Sequence, residues 1–132
     1  MDIRRIEVTP AYPGIPLISW ATVHGRMVYV SGITAKPPEL GGQLGDVKSQ
    51  TREVLARIDE LLALAGSSKA RILSAQVWLT DMADFAAHNE AWNEWVDKKS
   101  PPARACLQSP RLWRPGMLVE IMVTAALPED QE

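Results

Sequence analysis

An arginine and the only cysteine of the chain stand two residues apart in Pro101-Pro102-Ala103-Arg104-Ala105-Cys106-Leu107. In a β-strand that spacing aims both side chains at one face of the sheet. A second stretch, Leu118-Val119-Glu120-Ile121-Met122-Val123, plants one carboxylate in an otherwise apolar strand. Packing alone selects neither feature, because a buried charge without a partner is costly. The two stretches are therefore expected to form two walls of one small polar pocket. The chemistry they offer is specific: a guanidinium fork grips a carboxylate through two parallel hydrogen bonds, and a glutamate orients a water or takes its proton. The competing reading makes Arg104 a brace paired with Glu120, whose remaining lone pairs are met by backbone N–H groups. Cys106 is either a nucleophile or an inert lining residue. The first role needs a base, and the sequence around His24 and His88 assigns neither as its partner.

Other chemistries find no support. The two histidines lie far apart in sequence, and no cysteine or acidic spacing joins them into a metal set, so no metal is expected. Gly41-Gly42 has neither the lysine nor the spacing of a phosphate loop, and no cofactor is expected. Fourteen Lys and Arg against sixteen Asp and Glu give a net charge of -2 without a dense basic tract, which argues against nucleic acid as a partner. A single cysteine forms no internal disulfide, and no apolar run approaches the roughly 20 residues of a membrane span, so no membrane partner is expected. The opening Met1-Asp2-Ile3-Arg4-Arg5-Ile6-Glu7 lacks the apolar core of a signal peptide, which predicts a cytoplasmic protein.

The elements that must position these residues follow from periodicity. Ile3 to Val8, Ser19 to His24 and Arg26 to Ser31 read as strands, with a turn at Thr9 to Gly14, a hairpin pivot at Gly25, and Ser31-Gly32 ending the third. After a loop from Ala35 to Gly45, Asp46 caps a helix whose inward stripe is Val47, Thr51, Val54, Leu55, Ile58, Leu61, Leu62 and Ala65, and Gly66 stops it. Arg71 to Thr80 is a strand. A second helix starts at Asp81 to Asp84 and runs to about Lys98, with Phe85, Asn89, Trp92 and Val96 inward. Asn89 must then be hydrogen-bonded in the fold. Strands at Ala103 to Gln108 and Leu118 to Ala126 complete one domain over residues 1–132. The fold class is α+β, a mixed β-sheet with two helices packed on one face. Met27 to Val30 and Leu118 to Val123 are apolar on both faces, so the face without helices needs a partner, most simply another copy of the chain. Of the five tryptophans, Trp20 and Trp113 are the two in or beside loops that the fold can bring to a cleft.

Gly25-Arg26-Met27-Val28-Tyr29-Val30-Ser31-Gly32, the helix with Gln50, Leu55 and Ala65-Gly66, Val77 through Phe85 with Asn89, Pro102-Ala103-Arg104 and Glu120-Ile121 resemble the reactive intermediate deaminase (Rid, YjgF-type) family in order and spacing. The resemblance covers nearly the whole chain. It implies a chorismate-mutase-like fold assembled as a homotrimer with clefts between subunits. It also implies cofactor-free hydrolysis of enamines and imines, such as 2-aminoacrylate and its 2-imino acid tautomer, to 2-keto acids and ammonia. Arg104 stands where the family's arginine belongs, and Ser31, Gly32, Asn89, Cys106 and Glu120 match family pocket positions. Ile18 replaces the pocket tyrosine of the best-studied branch, and Ile33 replaces the glutamine after Ser-Gly. A pocket with Ile18, Trp20 and Ile33 would be more apolar and would suit a bulkier imine.

Two functions of different class follow. In one, Arg104 anchors a substrate carboxylate while Glu120 and backbone groups around Ser31, Gly32 and Cys106 place water and substrate nitrogen. In the other, the same arginine serves a non-catalytic trimeric module that binds a small carboxylate metabolite or a protein partner.

Overall fold

The computed structural model describes residues 1–10 and 14–129. Part of the turn expected at Thr9 to Gly14 therefore lies outside the described residues. Eight main elements follow one another: β1 (Ile3–Val8), β2 (Ser19–His24), β3 (Met27–Thr34), α1 (Val47–Ala65), β4 (Ile72–Leu79), α2 (Phe85–Trp95), β5 (Ala103–Gln108) and β6 (Val119–Ala126). One mixed sheet has the order β1-β2-β3-β6-β4-β5. Every neighbouring pair is antiparallel except β4 with β5, which are parallel and joined through α2. The last strand in sequence thus lies between β3 and β4, the strands that α1 connects.

Both helices lie on one face of the sheet. The α1 stripe is buried as its periodicity requires, with Val54, Ile58, Leu61 and Leu62 at 0% exposure against Val28, Val30, Ile121 and Val123. Asp46 caps the helix by accepting from Ser49 N at 2.8 Å, and Gly66 closes it at φ +92°. There the Ser67 amide reaches back to Leu62 O at 2.8 Å, the contact of a Schellman end.

Three expectations are corrected. Strand β3 does not end at Ser31-Gly32 but runs to Thr34, because a bulge between Val30 and Ile33 absorbs the two residues and pairing with β6 resumes. Helix α2 is shorter than expected. A separate 3-10 turn, Met82–Asp84, precedes it, and Val96 turns extended (ψ 146°) so that it stops at Trp95. Lys98 still serves that end, with Nζ donating to Asn93 O at 2.7 Å. The inward stripe of α2 is also displaced. His88, Ala91 and Trp92 are its buried residues, whereas Phe85 is 40% exposed and Asn89 only partly buried.

Gln50, 1% exposed on the first turn of α1, clamps the loops around β6. Its Nε2 donates to Gly45 O and Gly116 O, each at 2.9 Å, and its Oε1 accepts from Leu118 N at 2.9 Å. The Leu118 bond fixes the entry into β6 two residues before Glu120. Gln50→Ala removes the side-chain partner of three backbone groups, and each such hydrogen bond is worth on the order of 1 kcal/mol. Urea unfolding should report a loss of about 2–4 kcal/mol; a loss below about 0.5 kcal/mol would show that other contacts hold the loops.

Candidate functional site

The sheet register decides which residues can meet. Arg104 pairs with Ala75 and Cys106 with Val77, two residues whose side chains are buried under the helices. Arg104 and Cys106 therefore rise on the helix side of β5, as their spacing of two requires. Glu120 alternates with Val119 and Ile121, both 0% exposed toward the helices, and pairs with Thr34 and Trp78. It stands on the opposite face. The expectation that Arg104 and Glu120 wall one pocket is thus corrected within a protomer: the sheet lies between them. Arg104 as a brace against Glu120 falls for the same reason.

On the helix side, α2 holds the guanidinium of Arg104 from three directions. Nη2 donates to Asn89 Oδ1 at 2.8 Å, Nη1 lies 3.1 Å from His88 Nε2, and Cζ sits 4.9 Å from the centre of the Trp92 ring. No carboxylate among the described residues lies within salt-bridge distance of Arg104. Asn89 meets its expected need for a partner through Arg104 itself. A guanidinium carries five N–H donors, so the groups not bound to His88 and Asn89 remain for a guest. Burial lowers the Arg104 pKa, opposed by the nearby Cys106 thiol, and the group keeps its charge in the physiological range. Burial raises the Cys106 pKa, against the downward pull of Arg104. Cys106 is therefore a thiol at neutral pH and makes a poor nucleophile.

The opposite face carries the second half. Glu120 is half-buried, and its pKa is raised by burial alone. A Cβ on Gly32 would collide with Glu120 Oε2, so the glycine makes the room this carboxyl occupies. Ser31, in the same bulge, donates from Oγ to Ser19 O at 2.8 Å, which ties it to the strand start next to Ile18. Ile18 itself is partly buried and held by Thr9, whose Oγ1 accepts from Ile18 N at 3.0 Å. Ile33, at 3% exposure, packs in the core under the helices and also borders the cleft beside Thr34 together with Trp20. A cleft of about 550 Å³ opens beside Thr34, lined by Trp20, Leu40, Arg57, Glu60 and Trp113, so the two tryptophans singled out from the sequence do share a cleft. Trp113 is fixed there by Nε1 donating to Thr34 Oγ1 at 3.0 Å.

His88 is the residue the sequence reading left without a role. It is 0% exposed, with Nδ1 3.0 Å from Thr51 Oγ1 and Nε2 against Arg104. The signal for it was present as His88, Trp92 and Trp95 at i, i+4 and i+7. Placing Phe85 and Asn89 on the stripe hid it. Among the described residues no cluster of His, Cys, Asp or Glu could hold a metal, and no helix is long and apolar enough to cross a membrane.

Comparison with known proteins agrees with this architecture. Residues 14–127 match the family described as Endoribonuclease L-PSP. A RutC family protein of Haemophilus ducreyi is 45% identical over 125 residues, 95% of this chain and 97% of its own. The RutC family protein YoaB of Escherichia coli is 38% identical over 127 residues, covering 96% of this chain and all of its own. A YjgF-family crystal structure from Neisseria meningitidis superposes with a TM-score of 0.83 at 39% identity over 98% of both chains. With the family model, these relatives and the fold in agreement, the chain belongs to the reactive intermediate deaminase (Rid, YjgF-type) family.

Proposed function

We propose that this protein is a cofactor-free hydrolytic deaminase of enamines and imines of the 2-aminoacrylate or 2-imino acid type, releasing a 2-keto acid and ammonia. We further propose that two neighbouring copies of the chain each contribute half of the site. The observation that carries the reading is Arg104: a half-buried guanidinium held by the neutral acceptors His88 and Asn89, stacked on Trp92 and free of any carboxylate partner among the described residues. A charge kept in that condition suits an anionic guest.

The two halves lie on opposite faces of one sheet, so they converge only if the face bearing Glu120 of one copy meets the β5 side of another. Such an interface is heterologous and closes into a ring, in line with the trimer that the family resemblance implies. The helix-free face is also the one with exposed apolar residues, Tyr29 at 46%, Met122 at 40% and Leu107 at 49%. In the assembled cleft Arg104 grips the substrate carboxylate, and Glu120 takes a proton from a water that attacks the imine carbon. The protonated Glu120 returns that proton to the nitrogen of the resulting carbinolamine. The C–N bond breaks as the hydroxyl oxygen gives its own proton back to Glu120 and becomes the carbonyl, leaving the 2-keto acid and ammonia, which takes up the remaining proton. Within the protomer, burial raises the Glu120 pKa, the direction that favours proton uptake. Ser31 and Gly32 would flank that carboxyl, while the thiol of Cys106 lines the arginine side.

Ammonia release from 2-iminopropanoate, generated in situ by an amino-acid oxidase, tests the activity. Arg104→Ala should lower kcat/KM by about 10²-fold or more, and Glu120→Gln should lower kcat by about 10²- to 10⁴-fold. Wild-type protein that releases no ammonia from any imine, yet is stabilised against heat by 2-keto acids, would leave only the binding module. Mixing tests the division between copies. Co-assembled Arg104→Ala and Glu120→Gln chains in equal amounts should recover about a quarter of wild-type activity, because one interface in four then joins two intact halves. No recovery above the sum of the separate variants would place both residues in one protomer's site.

A further inference from the structure

Arginine donates hydrogen bonds and accepts none, so any ring nitrogen 3.1 Å from Arg104 Nη1 must be the acceptor. Nε2 of His88 therefore carries no proton. A neutral imidazole holds its single proton on the other nitrogen, and Nδ1–H then donates to Thr51 Oγ1 at 3.0 Å. Thr51 is 0% exposed on the first turns of α1, and His88 is 0% exposed on α2. The relay Thr51, His88, Arg104 thus runs from one helix through the other to the edge strand, and solvent reaches neither inner member. The mechanism proposed above uses neither Thr51 nor His88.

We infer that His88, anchored at Nδ1 by Thr51, is a positioning residue that aims the Arg104 guanidinium at the substrate carboxylate while leaving its positive charge uncompensated. This rests on the proposed role of Arg104. A glutamate or aspartate at position 88 would hold the guanidinium as firmly but would neutralise it and occupy the donors a guest needs. A neutral acceptor fixes the geometry and leaves the charge. Asn89 fixes the second terminal nitrogen in the same way, and the Trp92 ring sets the plane. The groups facing the ring are Thr51 from α1 and Arg104 from β5, with the Cys106 thiol next along the strand. Burial first, then the positive charge of Arg104, lowers the His88 pKa from 6.5 to about 4, which keeps the ring neutral throughout the physiological range.

Three variants and two readouts test this. His88→Leu keeps an apolar side chain of similar reach and removes the acceptor; His88→Gln restores an acceptor near the Nε2 position; Thr51→Val removes the hydroxyl that anchors the ring at Nδ1. Because Arg104 binds carboxylate in ground and transition states alike, His88→Leu should raise KM for 2-iminopropanoate about 10-fold or more with a smaller change in kcat, and His88→Gln should recover to within about threefold. Pyruvate affinity, measured by calorimetry, should follow the same order without requiring turnover, Thr51→Val lying between wild type and His88→Leu. Nitrogen-15 shifts of the wild-type ring should report the neutral Nδ1–H form down to about pH 5. A His88→Leu protein that folds and binds pyruvate as wild type does, or a ring found protonated at pH 6, overturns the inference. Wild-type protein that neither turns over an imine nor binds pyruvate would instead overturn the proposed role of Arg104, on a measurement made before any His88 variant enters.

Discussion

A guanidinium that is half-buried and carries no carboxylate partner among the described residues is the constraint around which the rest of this protein can be understood. Withdrawing such a charge from water is expensive, and proteins ordinarily offset the cost with an anion of their own. Here α2 offers two neutral acceptors and an aromatic face. That choice lowers the cost of burial without cancelling the field, so the stabilisation still missing is available to a guest. The sequence supplies the means on a single helical turn. His88, Asn89 and Trp92 fall at i, i+1 and i+4, which lets one short helix address both terminal nitrogens and the plane of one arginine on the neighbouring edge strand.

The second constraint is the sheet itself. Strand β6 sits between β3 and β4 and is buried toward the helices by Val119, Ile121, Val123 and Ala125. Its alternate residues, Glu120 and Met122 among them, must then face away from both helices. Tertiary structure thereby separates the guanidinium from the carboxylate across one layer of backbone. A protomer can build either half with its own packing but not their juxtaposition, and association becomes a requirement of the proposed chemistry. The bulge at Ser31-Gly32 belongs to this half: two residues set against one of β6 let the strand continue to Thr34 and clear the space that the Glu120 carboxyl fills.

Much of this was legible in the amino-acid order, and the boundary of legibility has a physical reason. Helix α1 announces itself through a long stripe, an aspartate cap and a terminal glycine, because each of those signals is local. Strands β1, β2 and β5 begin and end where alternation and turn residues place them. Period two correctly puts Arg104 and Cys106 on one face. It does not say whether that face is also the one Glu120 uses, since this depends on registers passed through β4 from strands distant in sequence. The α2 stripe was misplaced by one residue for a different reason. The helix is short, a 3-10 turn precedes it, and its inward positions include a histidine that hydropathy alone reads as solvent-facing.

The opposite electrostatics of the two halves suggest why water, and not the cysteine, should be the nucleophile. Cys106 lies near a positive charge, a setting that often lowers a thiol pKa, yet burial outweighs that pull and keeps the proton on sulfur. The guanidinium is therefore not spent on a thiolate. Glu120 is shifted upward by burial with no cation paired to it among the described residues, so within a protomer its charged form is held back. Each half contains an ionisable group whose charge its own surroundings disfavour, and the signs are opposite. If the halves meet across a subunit boundary, each field favours the other's charged form, and an anionic, electrophilic guest with a water molecule completes the set between them. The cleft would then be at its most reactive only when assembled and occupied, with the reactive carbon held between a fixed cation and a carboxylate whose charged form that cation favours.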